Sequence, residues 1–262
     1  MRSIKLIILF ITISASTLYS QSSKLHTKII KGEVWKGHVT NGKPVGNWNV
    51  FNNDNKLIKK VTYLKGNVVI EKTLNHLGGV YWITYCTVNN SAPFNLISNG
   101  PYTHFRESGE IDETGYFKNN KGDGKFTYFG ETGDTLGINY YKNGKQTGES
   151  IEYFEKTKKL KEHGYYKDDC KIGLWTEYYP NGQLRTQGEF YSKMQWLYYS
   201  PVNDKILKDS LKRSMLDTTI LQFPNARYFK NGKWSYWSTD GHLYLEEWWS
   251  NGVFLHNEHK VK

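Results

Sequence analysis

The chain has 262 residues, of which 16% are aromatic, with 20 Tyr, 9 Trp and 24 Gly and a formal charge of +10. The length could bury a large core, but so many amphipathic rings and glycines argue against a thick one and fit half-exposed pleated sheet joined by tight turns. The basic balance makes anionic surfaces natural electrostatic neighbours, although lysines on a β-rich surface also keep it soluble and protect its edges.

The first 20 residues read as an export signal. Arg2 and Lys5 precede an apolar run over Leu6–Ile13, and Ser14–Ser20 is small and polar, the order of zones in a secretory leader. The apolar run is too short to span a bilayer, so cleavage near Ser20-Gln21 is expected, leaving 33 basic against 25 acidic residues, or +8. The expected address is periplasmic or secreted, which weighs against a nucleic-acid partner. Residues 21–31 read as a polar leader, apart from a first, incomplete hairpin beginning at Ile29 and running to Val39.

A template then repeats. Its clearest copy starts at Gly173, with Trp175 at +2, Tyr178 at +5, Asn181-Gly182 at the turn, Leu184 at +11 and Phe190 at +17. Asn-Gly flanked by strand-like runs predicts a type I′ hairpin turn. Another copy starts at Gly46, with Trp48, Phe51, Leu57 and Tyr63 in the same columns. Residues 67–99 contain strand-like sequence but irregular spacing. Copies resume at Gly100 with Tyr102, at Gly124 with Phe126, and at Gly148. In the last two an aliphatic residue falls one place late, which predicts a loop one residue longer. The starts at 100, 124, 148 and 173 are spaced 24, 24 and 25, a signature of repeat architecture.

A glycine-less unit keeps Trp196 and Tyr199. From Lys205 to Phe223 the template fails, with a short helix near 205–216 or two strands as the competing readings. A final copy starts at Gly232 with Trp234 and Trp237, and 253–262 reads as a polar tail. The fold expected is all-β: an elongated, twisted array of antiparallel hairpins over 32–252, irregular at 67–99 and 205–231, with each hairpin stabilised by its neighbours.

By strand parity, +11 and +17 share a face, whereas +2 and +5 lie on opposite faces unless a bulge intervenes. An uncovered sheet cannot bury both faces. The rings Trp48, Tyr102, Phe126, Trp175, Tyr178, Trp196, Trp234 and Trp237 are therefore the candidate partner-binding surface, with ring-on-ring stacking as the alternative role. Cys86 and Cys170, 84 positions apart, are expected to remain unpaired thiols in such an array.

The pattern G-x-W-x-x-Y-x-x-N-G-x-L at 173–184 resembles the MORN-repeat variant of bacterial YwqK-like, antitoxin-labelled proteins. The resemblance covers most of 32–252. It implies extended hairpin repeats and binding to proteins or membranes, without catalysis.

Hydrolase, zinc-protease, Walker and dinucleotide motifs are missing from the sequence. Gly122-Asp123-Gly124-Lys125 reads as a turn between units rather than a phosphate cradle. His256, Glu258 and His259 could ligate a metal only if held rigidly. Asp168-Asp169 and Glu246-Glu247 are neighbours in strands or turns and so cannot act as paired carboxylates. The expectation is a non-enzymatic scaffold without cofactor, metal or small-molecule substrate. Its partner would be a protein or envelope component, or an anionic membrane surface; antitoxin-like neutralisation and an envelope hydrolase hidden in 67–99 or 205–231 are the alternatives.

Overall fold

The computed structural model describes residues 24–64, 67–89, 91–192 and 228–261. The expected export signal, the 205–216 segment and Trp196 lie outside them.

The described residues are all-β. The strands are β1 (Lys24–Ile30), β2 (Glu33–Thr40), β3 (Lys43–Phe51), β4 (Leu57–Tyr63), β5 (Val68–Leu74), β6 (Val80–Asn89), β7 (Ala92–Phe105), β8 (Ile111–Lys118) and β9 (Lys121–Gly122). They continue with β10 (Gly124–Phe129), β11 (Thr135–Lys142), β12 (Lys145–Tyr153), β13 (Leu160–Lys167), β14 (Cys170–Tyr178), β15 (Leu184–Ser192), β16 (Tyr228–Trp237), β17 (Leu243–Ser250) and β18 (Val253–His259). Each pairs antiparallel with its sequence neighbour, except that β8 bonds both the short β9 and β10. No pairing joins β1 to β18 among the described residues, so the sheet is an open array of hairpins.

Two boundaries differ from the sequence reading. Lys24–Ile30 is a strand paired along its length with β2, not a leader. Val253–His259 is a strand paired with β17, not a tail. β15 pairs directly with β16.

Two turn types alternate along the chain. Loops of one kind take their first positive-φ residue from Asn or Asp: Asn41-Gly42, Asn119-Asn120, Asn143-Gly144, Asp168-Asp169 and Asn251-Gly252 all have both residues at positive φ, the type I′ geometry. These lie on one edge of the sheet. On the other edge Asn181 is not at positive φ and only Gly182 is. There Tyr179 N donates to Gln183 O and Gly182 N to Tyr179 O. That is a type I turn closed by a left-handed glycine, and it suits Pro180 in its second position. The I′ turn expected at Asn181-Gly182 is therefore corrected. The same two bonds recur from Asn52, Asn75, Arg106, Gly130 and Ser238.

Each of these hairpins also carries a bulge. Glu177 pairs with Thr186 but Tyr178 with Leu184, leaving Arg185 unpaired, and Ile58, Asp112, Leu136 and Tyr244 are skipped likewise. The extra residue inverts side-chain parity, so +11 and +17 lie on opposite faces, contrary to expectation. The bulge also accounts for Leu136 without a longer loop. The loop after Phe154 is one residue longer, with Lys158 supplying the positive φ.

The segment with irregular spacing follows the same rules. Asn75 repeats the turn, and Tyr81 is the bulge residue between Thr73↔Trp82 and Leu74↔Val80. Its longest strand, β7, begins by crossing the rings of the first units. Phe94 sits edge-on to Trp35, Trp48 and Tyr63 at 5.7, 5.1 and 6.2 Å, and Tyr63 OH donates to Pro93 O. Trp35, Trp48, Val50, Val61, Val69 and Cys86 form the core beneath. Neither cysteine is in a disulfide, and burial pushes the Cys86 thiol up to about 12.

Candidate functional site

The two faces of the sheet are built differently. On the first, the +2 and +17 columns meet across each hairpin: Trp48–Tyr63, Tyr102–Phe117, Phe126–Tyr141 and Trp175–Phe190 have ring centroids 6.3, 5.1, 5.0 and 6.3 Å apart. Between units the +2 ring lies over a glycine of the preceding strand. A Cβ at Gly37, Gly115, Gly164 or Gly188 would stand 2.1–2.4 Å from Trp48, Phe126, Trp175 or Trp234. Lysines cap the rings, with Lys171 Nζ 3.7 Å from the Trp175 centroid and Lys230 Nζ 4.7 and 4.9 Å from Trp234 and Trp249.

This packing corrects the expected binding surface. Trp48, Phe126, Trp175 and Trp234 are buried, at 0, 5, 3 and 5% exposure, because glycine lets each ring lie flat against the backbone beside it. Tyr102 is half-buried in the same face. Tyr178 and Trp237 are half-buried on the opposite face, against Leu184 and Leu243. The seven described candidates are thus not brought together.

The second face carries a row in unbroken cross-strand register: Lys36, Asn49, Lys60, Lys72, Ile83, Thr103, Thr114, Thr127, Ile138, Ile151, His163, Thr176, Gln187, Ser235 and Glu246. Beside it stands a column of rings at or next to +16. Tyr116 and Tyr165 are 44 and 46% exposed and Tyr85 37%, while Tyr140 and Trp248 are half-buried.

These rings escaped the template, yet a signal for them exists. Tyr116-Phe117, Tyr140-Tyr141, Tyr165-Tyr166 and Trp248-Trp249 are aromatic doublets. Adjacent strand residues point to opposite faces, so each doublet sends its second ring into the packed face and its first ring outward.

Several charges are paired across strands. Lys59 bridges Glu33 and Glu71 at 2.9 and 3.5 Å, Lys161 meets Glu152, Lys171 meets Glu162, and Glu247 accepts from Lys230, Tyr236 and Trp249. Hydrogen bonds from Lys233 and then Lys260 hold the Glu246 carboxyl down to about 2. Glu246 and Glu247 do face opposite ways, the one pairing with Ser235 and the other with Trp234. His256, in β18, stacks on Trp248 with centroids 4.5 Å apart.

No family model matches the chain, and no curated protein does. Solved structures give only faint likenesses. The crystal structure of TarM is 8% identical with a TM-score of 0.23, over 53% of this chain and 22% of TarM. A point mutant of S. aureus TarM gives 7% and 0.25, over 54% and 21%. A porin-like protein from Bacteroides uniformis gives 10% and 0.17, over 89% and 91%. The chain thus spans about a fifth of TarM's length, and at these scores the likenesses carry no argument.

Proposed function

We propose that this chain is a non-catalytic, exported repeat scaffold of the MORN type, and that its second face holds a protein or cell-envelope component. The observation that carries the reading is the outward ring column Tyr116, Tyr140 and Tyr165, set beside a cross-strand row that keeps register from β2 to β17. Rings spaced on a rigid pleated surface give large contact area at little cost in side-chain entropy. The buried rings on the other face keep that surface rigid.

The test replaces Tyr116 and Tyr165 together by Ser. The paired variant should melt close to the parent, because both rings are largely outside the packed face. It should also lose retention of whatever identified envelope component the parent holds. Equal retention by parent and variant removes this reading, and recovery of the chain from the cytoplasm in cell fractionation removes its exported part.

A further inference from the structure

Lys36, Lys60 and Lys72 stand together without the carboxylate partners that hold Lys59, Lys161 and Lys171. All three are exposed and occupy one row of the second face, with Asn49 between the first two. Lys60 and Lys72 are directly opposed in an antiparallel pair, an arrangement that repels. Lys59, one residue from Lys60 and on the other face, is gripped by Glu33 and Glu71. Among the described residues none of Lys36, Lys60 and Lys72 makes an ion pair; Lys36 lies over the Phe51 ring, 4.8 Å from its centroid. Opposed lysines also occur beside turns, Lys118 with Lys121 and Lys142 with Lys145, whereas Lys36, Lys60 and Lys72 stand within their strands in one row.

We propose that this line binds a linear acidic polysaccharide lying across strands β2 to β5. The proposal rests on the reading of the second face as the binding face, and names the chemistry of its partner at this end. Successive strands are about 4.8 Å apart, so the lysine stems recur at about 10 Å and then about 5 Å. A single small anion could engage only part of that line, whereas a chain of carboxylates or sulfates could follow all of it.

The neighbours fit a sugar polymer. Asn47, Thr62, Ile70 and Tyr85 form the adjacent row, in which Asn47 accepts from Thr62 Oγ1 at 2.8 Å and keeps its amide N–H groups for a ligand. Tyr85 is 37% exposed and offers a ring face and a hydroxyl. A bilayer-docking surface would instead present exposed bulky apolar side chains among its lysines; Ile70 and Ile83, beside Lys72, are half-buried.

The experiment measures binding of the purified chain to polygalacturonate, with dextran, phosphatidylglycerol vesicles and single-stranded DNA as the other probes. The parent should bind polygalacturonate in a salt-sensitive way and ignore dextran. The variant K36S/K60S/K72S should bind at least tenfold more weakly. The variant K125S/K142S/K167S removes the same charge from exposed lysines elsewhere and should lose less than twofold. Equal loss in both variants reduces the effect to net charge and overturns the proposal. No binding to polygalacturonate overturns it too, as does tighter, lysine-dependent binding to the vesicles or the DNA.

K60S/K72S should melt at or above the parent, since a repulsive pair has gone; a lower melting temperature would contradict the premise of strain. If polygalacturonate is ignored while the Tyr116 and Tyr165 variant still loses its envelope component, this inference alone fails. If both results are negative, the reading of the face fails with it.

Discussion

The indole of Trp175 occupies the space where a side chain at Gly164 would begin: a Cβ built there stands 2.2 Å from Trp175 Cδ2. The same relation links Trp234 to Gly188 at 2.1 Å. Glycine is required at these places for close approach rather than for a turn, since neither residue has a positive φ. Gly164→Ala and Gly188→Ala should each destabilise the protein by about 1–3 kcal/mol through overpacking, read as a fall in the urea midpoint. An unchanged midpoint would mean that the ring does not rest on the backbone.

One unit departs from the rule. At the +2 position of the copy from Gly148 stands Ser150, and Asn139 pairs with it where a glycine would serve a ring. Ser150 Oγ and Gln146 Nε2 donate to Asn139 Oδ1 at 2.7 and 2.8 Å. Ser150→Trp alone should collide with Asn139, and Asn139→Gly alone should orphan two donors, each costing about 1–3 kcal/mol. Made together they recreate the ring-over-glycine pair, so a double-mutant cycle should give a favourable coupling of at least about 1 kcal/mol. Simple additivity would refute the equivalence of the two arrangements.

Lys31 holds φ 50° in the turn with Gly32, a conformation that asparagine tolerates better than lysine. Lys31→Asn should raise stability by about 0.5–1 kcal/mol, seen as a higher melting temperature. A lower one would show that the first turn is not of the I′ kind.

Glu246 carries a pH signature. Its carboxyl is lowered from 4.5 to about 2 by hydrogen bonds from Lys233 and Lys260. A depressed folded value stabilises the protein at pH above the unfolded value, and the contribution is lost as pH falls from about 4.5 towards 2. Melting temperature should drop across that window in the parent and drop less in Glu246→Gln. Parallel curves would show that the lysines do not hold the carboxylate in solution.

The architecture was legible because the period near 24 marks glycine starts and turn pairs, and antiparallel hairpins joined by short loops can be arranged in few ways. What the sequence obscured was parity. One skipped residue such as Arg185 or Ile58 has no signature of its own, yet it reverses which face Leu184 or Leu57 shares with the later ring. Burial was misjudged for a related reason. Trp175 and Trp234 look like exposed rings on a thin sheet until the glycines at 164 and 188 are matched to them across strands, and that match depends on register. The segment 67–99 looked irregular because Val61, Glu71 and Thr84 replace the glycine and ring residues of the repeat, although its turn at Asn75 and bulge at Tyr81 follow the common pattern.

The strands run in sequence order from β1 at one margin to β18 at the other, each bonded to its chain neighbour except where β10 skips the short β9 to bond β8. A pull on the two ends of the molecule therefore acts across the strands, loading hydrogen bonds one rung at a time at the margins. The protein will come apart like a zipper, at low force and in small steps, and will re-form from whatever part of the ribbon remains.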